Sequence, residues 1–377
     1  MSSVTPADAA ELAEIVSRAA AEGAPLEIVA GGSKRGLGRF APVARRLDIS
    51  RLSGVIDYDP AELVLTARAA TPLAEIIALL AAQRQMLAFE PPDWVALFGH
   101  TGAPTLGGVL AVNQSGPRRL KAGAARDHLL GFAAVNGLGQ IWKAGARVVK
   151  NVTGYDMAKL QAGAFGTLSV LTEVSVKVLP RPETELTLLW PVAEARAAVA
   201  RMSAALNTPH EVSGAAYLPA RGVVALRLEG PAPSVAHRAA ALGGERLDEA
   251  ASAALWHDIG AVLPVLGAHA EIWRLNPEPA AAPAVLAALH AHFPEGAAFL
   301  DWGGGLLWLG LPRASGGAVR TCLRGGHATL FAAPEDVRAS ADVFEPLPPP
   351  LAALTRRVKQ GFDPLGILNP RRMYREF

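Results

Sequence analysis

Three glycine-bearing stretches spread over the first half of the chain constrain its fold more than any other feature. They are Gly31-Gly32-Ser33-Lys34-Arg35-Gly36-Leu37-Gly38, then Pro104-Thr105-Leu106-Gly107-Gly108, then Gly154-Tyr155-Asp156 running into Gly163-Ala164-Phe165-Gly166-Thr167-Leu168. Glycine has no Cβ and tolerates positive φ, so it lets backbone lie close to another group. One such loop is an ordinary turn signal. Three, each beside a strand-like or helix-like apolar segment, point to backbone held along an extended ligand.

The first stretch follows a strand-like run, residues 26–30, so two nucleotide motifs can be tested on it. The dinucleotide fingerprint spaces its glycines as G-x-G-x-x-G and then opens a helix whose N-terminus receives the pyrophosphate. Here the order is Gly31, Gly32, Gly36, Gly38, and Arg39-Phe40-Ala41-Pro42 is a poor helix start. The P-loop needs lysine and then serine or threonine after its second glycine. Gly31 and Gly36 have the right separation, but Leu37-Gly38 follows. What survives is a nest of successive backbone N–H groups able to hold a pyrophosphate without a helix dipole. Ser33 adds a hydroxyl, and Lys34 or Arg35 adds positive charge. Taken alone, the stretch reads equally well as a surface turn.

The 377 residues suggest about two domains with substantial cores. No segment reaches the ~18 uninterrupted apolar residues of a membrane span, and Met1-Ser2-Ser3-Val4-Thr5-Pro6 lacks the basic-then-apolar run of a signal peptide. A single cysteine, Cys322, excludes an internal disulfide, a cysteine-ligated iron–sulfur cluster and a cysteine zinc site within the chain. A cytoplasmic protein is expected. The net charge of +2 gives no argument for nucleic acid. Arg118, Arg119, Lys121 and Arg126 cluster locally, as either a solvated loop or a contact for phosphates or a substrate carboxylate.

Along the chain, Thr5 with Pro6 and Asp8 reads as the start of a helix running to about Glu22, with Leu12, Ile15, Val16 and Ala19 on one face. Residues 55–58 and 63–67 read as paired strands, Thr71-Pro72 as the start of a second helix, and 130–136 with 140–144 as a hairpin. A β-rich run over 167–179 closes at Pro180-Arg181-Pro182, the best domain boundary in the sequence. Strands are then expected at 183–190 and 221–228, helices at 193–206, 234–242 and 279–292, and a hairpin over 298–302 and 306–311. A proline-rich link, 346–350, leads into a last helix near 351–360. The pattern is α+β throughout, not a βαβ repeat.

Residues 28–38, Thr105-Leu106-Gly107-Gly108-Val109-Leu110-Ala111, Ser115-Gly116-Pro117-Arg118-Arg119 and Arg126-Asp127 together resemble the FAD-binding domain of the vanillyl-alcohol-oxidase-type (PCMH-type) flavoproteins. So do Lys150-Asn151-Val152-Thr153-Gly154-Tyr155-Asp156, residues 163–171 and Asn369-Pro370. Within that superfamily, the Ser-Gly-Pro-Arg-Arg and Lys-Asn-Val-Thr-Gly-Tyr-Asp segments are most similar to the E-type subunits of bacterial glycolate oxidase. The resemblance implies an α+β fold: a two-subdomain FAD-binding domain over 1–182, an α+β cap over 183–345, and a C-terminal segment, 346–377, packing back on the FAD domain. It implies that Ala30, Gly31, Gly32, Ser33, Lys34, Arg35 and Gly36 hold the pyrophosphate, and that Pro104, Thr105, Leu106, Gly107 and Gly108 approach the diphosphate–ribityl region. Asn113, Ser115, Gly116 and Arg118 would lie close to the flavin. Gly163, Gly166 and Val170 would flank the adenosine half, with Asn369 brought back beside them. Phe165 replaces an acidic residue that many relatives carry. Covalent flavin linkage in the superfamily uses histidine or cysteine, and the first loop has Ser33-Lys34-Arg35, so FAD is expected to be non-covalent.

Oxidising a 2-hydroxy acid on a flavin needs a base for the hydroxyl proton and a cation for the carboxylate. The histidine- and glycine-rich motif of the D-type glycolate oxidase subunits is missing from the later half of this chain. His100, Arg118 and Tyr155 are the remaining catalytic candidates. A backbone-satisfied loop histidine and a packed, hydrogen-bonded tyrosine are the plainer readings of His100 and Tyr155. His290 and His292, two apart on an expected helix, face different ways and make no metal pair; no metal site is expected. Trp302 and Trp308 are expected to line a core or an interface. The resemblance therefore implies an FAD-dependent oxidoreductase acting on CH–OH groups as part of a complex: an FAD-holding subunit of a multisubunit 2-hydroxy-acid (glycolate) dehydrogenase. Its implied partners are a second FAD subunit of the D type and an iron–sulfur subunit, with attachment to the inner membrane arising only through that complex. An autonomous flavin dehydrogenase for another hydroxy acid or alcohol, and a non-catalytic scaffold subunit, are the alternatives.

Overall fold

The computed structural model describes residues 2–99, 102–146, 154–267, 269–313 and 316–376. The first helix, Ala9–Glu22, buries Leu12, Ile15, Val16 and Ala19, as its apolar spacing predicts. Its start differs from the sequence reading. Asp8, not Thr5, is the cap: its backbone is extended and its carboxylate accepts the N–H groups of Ala10 and Glu11, both at 2.9 Å. Glu11 accepts the N–H of Ala7 at 2.6 Å, so two acids satisfy the orphan donors of this turn. The helix lies on a parallel three-stranded sheet in which Arg45–Asp48 runs between Ser2–Val4 and Leu26–Val29. Leu26, Leu47, Ile49 and Leu52 complete this small core.

The second unit is an antiparallel five-stranded sheet in the order Val55–Asp59, Val64–Arg68, Ser169–Lys177, Leu129–Asn136, Ile141–Gly145. The strand drawn from beyond residue 168 sits at its centre, which joins the third glycine stretch to the first two. Helices Leu73–Ala82 and Leu106–Ala111 cover one face through Leu73, Ile76, Leu80, Leu106, Val109 and Leu110.

The strands Thr184–Pro191 to His327–Ala332 form an eight-stranded antiparallel sheet. Alternate residues face opposite ways, as strand geometry requires. Leu188, Leu226 and Leu309 join helices Ala195–Leu206, Ala232–Leu242 and Ala282–His292 on one side. Leu189, Ala225 and Trp308 pack on the other with Trp256 of helix Glu249–Gly260 and with Leu37 and Trp94 from the first half of the chain. Strands Gly214–Leu218, Glu271–Asn276 and His327–Ala332 and helix Glu249–Gly260 are additions to the sequence reading. Gly-Ala-Ala-Tyr-Leu has little β propensity of its own; it is a strand because both its neighbours in the sheet pair with it.

The chain ends with helix Pro349–Phe362, whose first turn begins inside the proline run. A buried ion pair anchors it. Lys359 Nζ donates to Asp363 at 2.6 Å, to the Thr167 carbonyl at 2.6 Å and to the Leu368 carbonyl at 3.1 Å. Asp363 in turn accepts the N–H groups of Ile367 at 3.1 Å and Leu368 at 2.8 Å. Both side chains are almost wholly buried. Removing one partner of such a pair strands a charge in low dielectric. Asp363→Ala is therefore expected to lower stability by roughly 3–5 kcal/mol, read as a lower urea midpoint. Adding Lys359→Met to it is expected to restore part of the loss.

Candidate functional site: a cleft between the two sheets of the first half

A cleft of about 910 Å³ opens between the three-stranded and five-stranded sheets. Strand Leu26–Val29 delivers the chain into its mouth, and Ala30, Gly31, Gly32, Ser33, Lys34 and Arg35 form one wall. Among the described residues, the backbone N–H groups of Gly31, Gly32, Ser33 and Lys34 meet no acceptor. Four successive free donors make the nest that the sequence suggests. Gly32 has φ 76°, which turns the loop. Gly31 has a different reason to be glycine: a Cβ there would overlap the carbonyl oxygen of Ala103, and one on Gly102 would overlap that of Gly31. The two loops cross backbone to backbone. Gly36 lies outside the cleft, where a Cβ would come within 2.7 Å of the Phe98 ring.

Thr105, Gly107 and Gly108 line the opposite wall. Thr105 Oγ1 caps helix Leu106–Ala111 by accepting the Gly108 N–H at 3.3 Å. The first two N–H groups of this helix are already used, by the carbonyls of Thr71 at 3.0 Å and Ala69 at 2.8 Å. Gly107 is glycine because a Cβ would sit 2.7 Å from that of Ala69. Pro104 and Leu106 fall behind the wall: the Pro104 carbonyl accepts the Leu73 N–H, and Leu106 is core.

The far end is built from the third stretch. Gly163, Phe165 and Gly166 have φ of 83°, 57° and 67°, a left-handed run that folds the chain across the cleft. Gly166 and Val170 line it, while Gly163 stands behind, donating to the Leu110 carbonyl at 3.1 Å. Phe165 lines it with its ring edge-on to Phe344 at 5.1 Å. Asn369 closes this end. Its side chain accepts the Ile28 N–H at 2.8 Å and donates to the Phe165 carbonyl at 2.9 Å, tying the two sheets' loops together.

Among the cleft residues that sequence reasoning missed, two carry polar groups suited to a ligand. Gln161 is 3% exposed, and its Nε2 has no partner among the described residues. Only its place two residues before Gly163 hints at it. Arg372 reaches back from the tail to the carbonyls of Lys34 at 2.9 Å and Arg35 at 3.2 Å; burial lowers its pKa to about 10. Burial likewise lowers Lys34 to about 8, only partly opposed by Asp93. Arg35 is held at the rim by Glu27 at 2.8 Å.

The other candidates lie elsewhere. Asn113 accepts the Arg126 N–H and Ser115 the Ala125 N–H, both at 2.9 Å. Gly116 packs under the Glu90 carbonyl. Arg118 is taken up by carboxylates, Glu229 at 2.6 Å, Glu90 at 3.3 Å and Glu185 at 3.7 Å. Tyr155 is 94% exposed, which overturns the packed reading of its ring. His100 and Lys150-Asn151-Val152-Thr153 lie outside the described residues. Among the described residues no group of histidine, cysteine, aspartate and glutamate side chains is arranged to hold a metal ion. Nor is any of their helices long and apolar enough to cross a membrane.

A family model described as an FAD binding domain matches residues 2–145. The solved structure of an alkyldihydroxyacetonephosphate synthase superposes with a TM-score of 0.68 over 98% of this chain and 76% of that one, at 18% identity. The fold is that of the PCMH-type FAD-linked oxidases: a two-part flavin-binding unit with an α+β cap. Glycolate oxidase subunit GlcE of Escherichia coli (strain K12) is 37% identical over 371 residues, 97% of each chain. Glycolate oxidase subunit GlcD of Bacillus subtilis (strain 168) is 36% identical over 132 residues, 35% of this chain and 26% of that one. The chain belongs to the GlcE family of FAD-binding glycolate oxidase subunits.

The cleft fits FAD on its own terms. Free N–H groups, Lys34 and Arg372 suit a pyrophosphate, and the orphaned Gln161 amide awaits an acceptor. A pyrophosphate beside Lys34 favours the ammonium form and holds its proton to higher pH. FAD affinity is therefore expected to be level below about pH 7 and to fall as pH rises from about 8 to 10. Lys34→Met is expected to weaken binding by roughly tenfold and flatten that fall. Quenching of FAD fluorescence on titration into FAD-stripped protein measures both.

Proposed function

We propose that this chain is the non-covalent FAD-holding subunit of a multisubunit 2-hydroxy-acid dehydrogenase of the glycolate oxidase type. The observation that carries the reading is the nest of four free N–H groups beside Lys34 and Arg372, in a chain alike from end to end to a glycolate oxidase subunit. Residues 1–182 supply the flavin unit, 183–345 the cap, and 346–377 the returning tail.

In this assignment Gly31, Gly32, Ser33 and Lys34 hold the pyrophosphate, with Ala30, Arg35 and Gly36 shaping the loop. Thr105, Gly107 and Gly108 form the wall along the ribityl chain, with Pro104 and Leu106 backing it. Gly166 and Val170, joined by Gln161 and Asn369, take the adenosine end with Gly163 behind them, and Asn113, Ser115, Gly116 and Arg118 support the segment nearest the ring. When bound, the flavin supplies two-electron acceptance from a CH–OH group. No histidine or cysteine is among the described residues of the cleft, which supports non-covalent attachment. The partners are a D-type flavin subunit and an iron–sulfur subunit; this chain's one cysteine could not ligate a cluster itself. The complex works in the cytoplasm or against the inner face of the membrane.

The protein purified from its host is expected to be yellow, to release all its flavin on acid precipitation, and to bring both partners with it. Glycolate added anaerobically is expected to bleach the flavin of the complex and not of this chain alone. Bleaching by a hydroxy acid with this chain alone would make it an autonomous dehydrogenase. A colourless protein that takes up no FAD would make it a scaffold.

A further inference from the structure

The loop that carries the nest has two halves. Residues 31–35 line the cleft. Residues 36–40 turn away from it into the seam with the cap and the tail. Leu37 is 2% exposed and belongs to the core that holds Phe331 and Ala332 of the cap strand His327–Ala332. Gly38 has φ 87°, and a Cβ there would come within 2.9 Å of the Arg372 carbonyl oxygen. Hydrogen bonds tie the halves together: the Arg35 N–H donates to the Gly32 carbonyl at 3.3 Å and the Leu37 N–H to the Lys34 carbonyl at 3.1 Å.

Two arginines cross the seam in opposite directions. Arg338, on the cap helix Glu335–Ser340, donates through Nη1 to the Gly38 carbonyl and through Nε to the Ala333 carbonyl, both at 3.1 Å. Its guanidinium also lies over the Phe40 ring, 5.8 Å from the centre. Arg39, on the loop, donates to the Ala339 carbonyl at 2.7 Å and to the Ala341 carbonyl. These carbonyls stand at the end of that helix, where no further turn supplies donors and a cation suits the dipole. Both residues are more than nine-tenths buried, Arg39 at 7% exposed and Arg338 at 4%. The backbone N–H of Arg39 donates to the Arg372 carbonyl at 2.9 Å, which brings the tail arginine of the cleft into the same clasp.

We propose that the cap sets the FAD nest through this clasp: Arg338 and Arg39 are positioning residues for the flavin, and FAD binding is coupled to the seating of residues 333–342 on the loop. Neither arginine lines the cleft; each acts through the backbone of residues 36–40. A seated cap segment holds the nest in order before the pyrophosphate arrives, which lowers the ordering cost of binding. Coupling of this kind is reciprocal, so bound FAD must hold the cap segment in turn. The proposal rests on the cleft being the FAD site.

The test uses the FAD-stripped full chain, titrated with FAD and followed by flavin fluorescence, dissociation rate and hydrogen exchange. Arg338→Met and Arg39→Met are each expected to weaken FAD roughly 5- to 50-fold, mainly through faster dissociation, and Arg338→Lys by less. Arg238→Met is the control. Arg238 is 8% exposed and likewise bonded to carbonyls, those of Ser234, His210 and Glu229, but its helix packs on the face of the cap sheet opposite Leu37. Its loss is expected to cost stability and leave FAD affinity within about twofold. In wild type, FAD is expected to slow exchange over residues 334–343 and not over 282–292, and Arg338→Met to lose that slowing. Unchanged exchange over 334–343 in FAD-saturated wild type would overturn the clasp, and this readout needs no variant to fold. So would FAD affinity in Arg338→Met that equals wild type or falls no further than in Arg238→Met. Wild type that takes up no FAD would overturn the flavin reading of the cleft and this proposal with it; flavin-replete protein with indifferent exchange overturns the clasp alone.

Discussion

Arg227 is fully buried, and its two terminal nitrogens grip both oxygens of Glu90, from the other half of the chain, at 2.8 and 3.0 Å. The rest of the interface is arranged around that contact. Arg227 and Glu229 are two apart on one strand and so share a face. Glu185 stands directly across from Glu229 on the neighbouring strand. Two carboxylates in that register would repel, but Arg118 from the flavin unit reaches both, Glu229 at 2.6 Å and Glu185 at 3.7 Å. Burial works against every charge here, and pairing overcomes it at Glu90 and Glu229, whose pKa values fall below the usual range, Glu229 to about 2. At Glu185 burial wins and the pKa is raised. Such a cluster is weak evidence for extra stability and good evidence for one fixed orientation, because any slippage would strand a buried charge.

That fixed orientation sets the Ser115–Arg118 segment between the two halves. Glu90 has φ 51°, and its carbonyl packs on Gly116, while its carboxylate accepts the Arg118 N–H at 2.8 Å. The Ser115–Arg118 segment is thereby set in place from below by Glu90 and from above by Trp302, whose indole bonds the Gly116 carbonyl. One arginine of the basic cluster, Arg118, is consumed in holding the halves together. The next, Arg119, lies over the Trp302 ring, 4.4 Å from its centre. Adjacent residues of the same type thus do different work, and only the geometry of the cap separates them.

Much of the flavin unit was legible in the sequence because its signals are local. Helix Ala9–Glu22 follows from its apolar spacing, and the strand pairs follow from turn residues between apolar runs. The nest at residues 31–34 was legible once the helix-based motifs had failed on spacing. The reasons for individual glycines were not: Gly31, Gly36 and Gly107 make room for Ala103, Phe98 and Ala69, contacts made across long stretches of chain. Strand Gly214–Leu218 was illegible because its alanines carry no pattern and its pairing partners supply the structure. Gln161 carries no motif at all; its meaning comes from burial without a partner among the described residues, a property of the folded chain.

The tail shows why the cleft cannot be understood from its glycine loops alone. Asn369 bonds the Ile28 N–H on one side and the Phe165 carbonyl on the other. Arg372 donates to the carbonyls of Lys34 and Arg35 at the end of the nest while lining the cleft itself. Lys359 and Asp363 fix the helix from which both depart. The end of the nest is thus held by a residue more than three hundred positions away. The two sheets of the flavin unit are therefore joined by the backbone crossing of Gly31 with Ala103, by the packing of helix Ala9–Glu22 on Val135 and Val170, and by the returning tail, and the cleft opens beside those joints.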